Sequence, residues 1–348
     1  MPATIRDVAL LAGVSNAAVS KVLNNTDNTI RVSETTRKRI ASAIKKLNYR
    51  PNIRAHYLFR GSTQTVAFIT DRDTISVPYA HLILEQCVEC LLRHAYITTA
   101  LLYRTGDEDA LARIAAMIEE RRFDGVLFVA NDVPQLLHAT AHSEVPAIHI
   151  NPPHAHLHDS VVFDEYDNVR LAFACLLEAG HQRIGYIDFT KGNATHATVS
   201  ARRNAYLRLC HTHRLSPVFL SETYAEIDAA RTPHDLAAVP SGVITYSDAI
   251  AQKFVAHLYR NRAINPQYFS IISAATDMFQ DRAPLRISGV ALPIDVMAET
   301  DVAQLLHRIA HKGQHVKTSA LACTLVLRES VHRAPPGPTR PRTRQPRA

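Results

Sequence analysis

The sequence predicts an all-α helix-turn-helix headpiece followed by an α/β two-lobed core, and three observations carry that reading. Apolar residues at helical spacing, broken by a glycine, fill residues 4–24. Strand-like apolar runs alternate with amphipathic segments from residue 66 to residue 327. Charge is divided along the chain. Residues 1–60 hold 11 Lys and Arg against 3 Asp and Glu, net +8, and residues 61–330 hold 23 against 29, net −6. Residues 331–348 hold 5 basic residues and no acidic one, which closes the formal total of +7.

The first helix starts where Thr4 and Asp7 have capping-box spacing, so each satisfies an otherwise unpaired amide. Gly13 stops it. Ser15 caps a second helix whose Val19, Val22 and Leu23 point inward, leaving Asn16, Ala17, Ser20 and Lys21 on the outer side. A third helix begins at Ser33 and Glu34, and its buried stripe is Ile40, Ile44 and Leu47. A short helix pair of this kind fits the DNA major groove, and the basic charge gathered around it is an electrostatic footprint for phosphate.

The body reads as parallel α/β, with strands over Val66–Thr70, Ala100–Tyr103, Gly125–Ala130, Ala147–Asn151, Ile184–Phe189, Gly242–Tyr246, Phe269–Ala274 and Leu321–Leu327. Such sheets bind ligands at the carboxyl ends of their strands, and two lobes set together form a cleft. The length accommodates two lobes of ordinary size.

Several chemistries are excluded. Cys87 and Cys90 lie in an apolar helical run, and Cys175, Cys210 and Cys323 have no partner spacing, so reduced core cysteines are expected rather than a disulfide framework. No nucleophile elbow, Walker loop or dinucleotide fingerprint is present, so neither enzymatic activity nor a cofactor is expected. The stretch containing His149, His154, His156 and His158 is proline-rich and reads as a solvated loop; a metal-responsive regulator using it is the alternative function. No signal peptide or bilayer-length apolar run appears, which places the chain in the cytoplasm with no membrane partner. The tail from Pro335 is too rich in proline and arginine to fold, and it adds nonspecific DNA affinity.

The run Thr4-Ile-Arg-Asp-Val-Ala, then Ala12-Gly-Val-Ser, then Val19-Ser-Lys-Val-Leu-Asn24, with Val32-Ser-Glu-Thr-Thr-Arg37 and Leu47-Asn-Tyr-Arg-Pro-Asn52, resembles the lactose/galactose repressor family. Asp124-Gly-Val, Glu178-Ala-Gly-His-Gln-Arg-Ile-Gly and Leu327-Arg-Glu-Ser continue the resemblance to about residue 330. The resemblance implies a periplasmic-binding-protein-like core and a division into a headpiece (1–50), a hinge helix (51–61), an effector-binding and dimerisation core (62–333) and a tail (334–348). The lobes are then 62–163 with 293–322, and 164–292 with 323–333. Base reading falls on Asn16, Ala17 and Ala18, where two alanines offer methyl contacts but no hydrogen bonds, so discrimination leans on Asn16, Ser20, Lys21 and Asn24. Further DNA contacts implied by the family are Ile5, Ser15, Ser33, Thr36, Tyr49, Asn52 and Ala55, with Leu58 as a wedge in the minor groove. His56 stands where the family usually has arginine.

For the cleft, the resemblance implies Arg202 as the residue that holds effector hydroxyls or charged groups, with Asn151 and Asp248 at strand ends and Asp73 and Tyr79 in the first cleft loop. Thr276 falls where an aspartate usually binds the ligand, a departure from the pattern. The helix containing Arg202, Cys210, His213 and Leu215 is similar to that of trehalose repressors, and the adjacent Arg202 and Arg203 would suit a phosphate. The expected function is a sequence-specific transcription regulator, a repressor, in which a sugar or sugar phosphate controls operator DNA binding by a homodimer or a tetramer built from it.

Overall fold

The computed structural model describes residues 3–24, 32–49, 62–154, 158–189, 196–221, 224–229, 239–260, 266–276, 285–311, 313 and 318–335. The chain divides into two compact units, Met1–Gln64 and Thr65–Ala348.

The first unit is helical: α1 (Ile5–Ala12), α2 (Asn16–Asn24) and α3 (Glu34–Lys46). Its core is Val8, Ala9, Ala12, Val19, Ile40 and Ala43, with Val22, Leu23, Ile44 and Leu47 packed around it. Gly13 closes α1 in the left-handed region at φ +62°, where its amide reaches the Ala9 and Leu10 carbonyls. A residue with a Cβ is strained in that conformation.

The second unit contains two six-stranded sheets. The first comprises β1 (Thr65–Asp71), β2 (Ile97–Tyr103), β3 (Gly125–Val129), β4 (Ala147–Ile150), β5 (Ser160–Phe163) and β11 (Ser319–Leu321). Its order is β11-β5-β4-β3-β1-β2 and every pairing is parallel. The second comprises β6 (Ile184–Ile187), β7 (Val218–Leu220), β8 (Gly242–Thr245), β9 (Ser270–Thr276), β10 (Ser288–Ala291) and β12 (Thr324–Val326), in the order β12-β10-β9-β8-β6-β7. Here β12 runs antiparallel to β10. The chain therefore passes between the sheets three times: after β5, after β10 and between β11 and β12.

Four details depart from the sequence reading. Leu321–Leu327 is not one strand: the chain leaves the first sheet at Leu321 and enters the second at Thr324, with buried Cys323 at the passage. The short strands β5, β7 and β10 are not among those read from the sequence. In β10, Ser288-Gly-Val-Ala lacks a β-branched run, and its glycine answers a close approach: a Cβ on Gly289 would stand 2.9 Å from Thr276 Cβ.

Alternation along each strand fills both faces. In the first lobe, Val66, Phe68, Leu127, Val129 and Ile148 pack against α4 (Pro78–Arg93) and α10 (Ile294–Ala310). On the other face Ala67, Ile69, Val126 and Phe128 meet α5 (Glu108–Glu119) and α6 (Pro134–Ser143). In the second lobe, Tyr186, Ile244 and Ile272 cover α7 (Glu165–Glu178) and α8 (Ala197–Thr212), while Val243 and Ile271 meet α9 (Asp248–Arg260). All five cysteines are buried and free. Among the described residues no helix is long and apolar enough to cross a membrane.

Candidate functional site

The headpiece presents the start of α2. The Thr4 amide donates to Asp7 Oδ2 at 2.8 Å and the Asp7 amide to Thr4 Oγ1 at 3.4 Å; these hydrogen bonds fix the start of α1 and hold the Asp7 carboxyl below its usual pKa. The Ala18 amide donates to Ser15 Oγ at 3.2 Å, capping α2. Ser15, Asn16 and Ala17 are exposed, whereas Ala18, Ser20 and Lys21 are half-buried, so the outer side expected from sequence is narrower than drawn. Asn24 is the last residue of α2. Ser33 Oγ caps α3 by accepting the Thr36 amide at 3.2 Å. Ile5 and Tyr49 pack against the headpiece core, and burial raises the Tyr49 pKa. Asn52, Ala55, His56, Leu58 and the tail from Pro336 lie outside the described residues.

In the second unit, each sheet reverses its winding direction at one point, between β3 and β1 in the first and between β8 and β6 in the second. Loops diverge there and leave a crevice at the carboxyl ends of the strands. A cavity of about 340 Å³ occupies that position, lined by Tyr79, Ala130 and Asn151 of one lobe and by Phe189, His196, Thr198, Arg202, Tyr246, Asp248 and Thr276 of the other. Ala130 and Asn151 both have positive φ, +51° and +46°, which is stored strain at the cavity wall.

Five of the six expected effector residues, Tyr79, Asn151, Arg202, Asp248 and Thr276, meet in this cavity. Asp73 does not. Asp71 caps the helical turn Arg72–Ile75 by accepting the Asp73 and Thr74 amides, and that turn leaves Asp73 exposed while Thr74 lines the cavity.

Arg202 is already engaged. Its Nη2 donates to Glu165 Oε1 at 2.9 Å, its Nε donates to Glu165 Oε2 at 2.5 Å, and its Nη1 donates to the Tyr246 carbonyl at 2.8 Å. The guanidinium stacks 4.5 Å from the Tyr246 ring centroid. Although burial opposes its charge, the carboxylate beside it raises the Arg202 pKa. Arg203 turns elsewhere, to Asp188 Oδ2 at 2.8 Å and over the Phe219 ring. Consecutive helical residues diverge by about 100°, so the adjacent arginines do not form one anion clamp.

The rest of the wall is aromatic and hydroxylic. Phe189 and Tyr246 stack at 5.5 Å. Thr198 Oγ1 lies 2.7 Å from the Tyr246 hydroxyl, and Thr276 donates to Asp248 Oδ2 at 2.7 Å. Glu165, Phe189, His196 and Thr198 escaped sequence reasoning. Glu165 opens α7, where an acidic residue reads as an ordinary helix-dipole partner.

Residues 4–52 match the family described as bacterial regulatory proteins, lacI family, and residues 173–331 match the periplasmic binding protein-like domain. An HTH-type transcriptional repressor PurR of Aliivibrio salmonicida is 26% identical over 341 residues, covering 95% of this chain and 99% of its own. The solved lac repressor dimer bound to operator and the anti-inducer ONPF has the same fold, with a TM-score of 0.78 at 19% identity over 95% of this chain and 100% of that one. The regulator CelR in complex with cellobiose gives 0.63 at 23% identity, over 94% and 100%. These relatives are regulators of transcription, and they give no support to a metal-responsive regulator. With relatives aligned over nearly its whole length, the chain joins a headpiece of the lacI-family type, over residues 4–52, to a periplasmic binding protein-like domain, over residues 173–331.

Proposed function

We propose that this regulator is a cytoplasmic, homodimeric repressor whose operator affinity is set by a neutral, hydroxyl-bearing ring compound, a sugar, held between the lobes. The observation that carries the ligand class is the two-point pairing of Arg202 with Glu165. A guanidinium neutralised by a buried carboxylate has little charge left for a phosphate, and Asp248 in the same cavity opposes an anion further. The stacked Phe189 and Tyr246, with Asn151, Thr198 and the remaining N–H groups of Arg202, suit an apolar ring face with polar edges. The cellobiose complex of CelR supports the same class.

Closure of the lobes on such a ligand shifts the dimer and with it the paired hinge segments, residues 51–61, that place Leu58 at the operator centre. A coupling of about 1–3 kcal/mol changes operator affinity roughly 5–150-fold. Thermal-shift screening against neutral mono- and disaccharides and their phosphates tests the ligand class, since a ligand that binds only the folded state raises the melting temperature. A neutral sugar is expected to stabilise the protein and to change its DNA affinity. Stabilisation by the phosphates alone would overturn the reading.

A further inference from the structure

A second group of polar side chains lies in the first lobe, on the sheet face that meets α5 and α6, and the effector cavity does not use it. Asp132 follows β3, His149 lies within β4 and His158 precedes β5. Asp132 Oδ1 stands 3.0 Å from His158 Nε2 and 3.9 Å from His149 Nδ1. All three atoms lie within 4.8 Å of one another. The side chains are 12%, 5% and 12% exposed. Each of the three atoms is buried and has no hydrogen-bond partner among the described residues, an arrangement that costs stability unless something else fills their lone pairs.

We propose that Asp132, His149 and His158 bind a first-row divalent transition-metal ion, for which zinc is the natural probe. Zinc takes imidazole nitrogen and carboxylate oxygen at about 2.0–2.2 Å, which puts tetrahedral ligand atoms roughly 3.4 Å apart. The measured separations of 3.0 and 3.9 Å bracket that value. Calcium and magnesium prefer all-oxygen sets, so two imidazoles select against them.

The surroundings orient the ligands. Asp132 Oδ2 accepts the His154 amide at 3.0 Å and lies 2.8 Å from His154 Nδ1, which leaves Oδ1 aimed at the two imidazoles. His149 stacks between Phe128, at 4.9 Å, and His158, at 4.0 Å, and because imidazole lone pairs lie in the ring planes, a shared ion requires one of the two imidazoles to tilt out of this stack. Arg308, a nearby cation, is paired with Asp159 at 2.7 Å. Two residues beyond Asp132 in one direction and beyond His149 in the other stand Ala130 and Asn151, which line the effector cavity. A bound ion would clamp the ends of two strands that build the cavity without serving as the regulatory signal.

The test uses full-length protein carrying no metal-affinity tag, stripped with chelator, dialysed and titrated calorimetrically with zinc chloride. One ion per chain is expected, with a rise in melting temperature. Asp132→Asn and His158→Gln should each weaken zinc binding at least tenfold while melting like the wild type in chelator. Two exposed helical pairs, His138 with His142 and His307 with His311, are the competing explanation for uptake. His138→Gln and His307→Gln should therefore leave binding unchanged. Cobalt gives a check free of variants, because wild-type protein should show visible d–d absorption that zinc abolishes. Absence of zinc and cobalt binding by the wild type, binding that survives both Asp132→Asn and His158→Gln, or binding lost in the His138 or His307 variants would overturn the proposal.

Discussion

Glu165 grips the guanidinium of Arg202 at two points, and both side chains are nearly sealed from solvent, 10% and 5% exposed. Removing one member of such a pair strands a charge. Arg202→Met or Glu165→Gln alone is expected to lower the unfolding free energy by about 3–5 kcal/mol, and the double change Glu165→Gln with Arg202→Met to recover most of that loss. Urea denaturation of the two singles and the double, read as a mutant cycle, checks this. The double variant is the one in which loss of effector response is separable from loss of fold.

Base reading by α2 is expected to rest on Asn16, which is exposed at the first position of the helix. Asn16→Ala should relax preference at one operator position by about 1–3 kcal/mol and leave the salt dependence of binding unchanged. Selection of DNA sites by wild type and variant, repeated at several salt concentrations, measures both. A uniform loss across sequences with a flatter salt slope would make Asn16 a phosphate contact.

Acid should weaken the second lobe through His181. Its Nδ1 lies 2.8 Å from Ser241 Oγ and its Nε2 2.8 Å from Ser270 Oγ, and burial is the main cause that lowers its pKa below 6.5. Because the folded form holds the proton less tightly than the unfolded chain, the stability it contributes is complete above about pH 6.5. That contribution is lost as pH falls from there toward the depressed folded value, with a slope of at most about 1.4 kcal/mol per pH unit. Denaturation midpoints from pH 8 to pH 5 should fall accordingly, and His181→Gln should flatten that part of the curve.

Asp301 on α10 has the opposite sign. It is fully buried, neither carboxylate oxygen has a hydrogen-bond partner among the described residues, and burial raises its pKa well above 3.8. An acid whose folded pKa is raised favours the fold below the unfolded pKa and penalises it as pH rises through the folded one. Asp301→Asn should therefore increase stability at neutral pH by about 1–3 kcal/mol, with the gain shrinking below pH 4. Chemical denaturation at pH 7.5 and pH 3.5 tests the sign.

Periodicity and caps made the headpiece legible, because Thr4, Gly13, Ser15 and Ser33 act within a few residues of where they stand. The long strands were legible for the same reason. What the sequence hid was long-range. Glu165 finds Arg202 37 positions away, and Asp132 meets His158 with α6 and β4 between them in the chain. Neither pairing has a spacing rule. Asp73 misled because family position does not encode which residue of a single helical turn faces the cavity, a matter decided by the Asp71 cap.

The three passages of the chain between the sheets also constrain how the protein is made. The apolar face formed by Phe68, Leu127 and Ile148 is covered by α10, and β11 completes the edge of the same sheet. Both are encoded after every strand of the second sheet except β12. A ribosome adding about 5–20 residues per second therefore needs roughly 10–30 s after finishing β5 to deliver them. Throughout that interval the nascent first lobe shows an incomplete edge and an apolar face covered by α4 alone, so its yield in the cell depends on shielding during translation as well as on the final stability of the repressor.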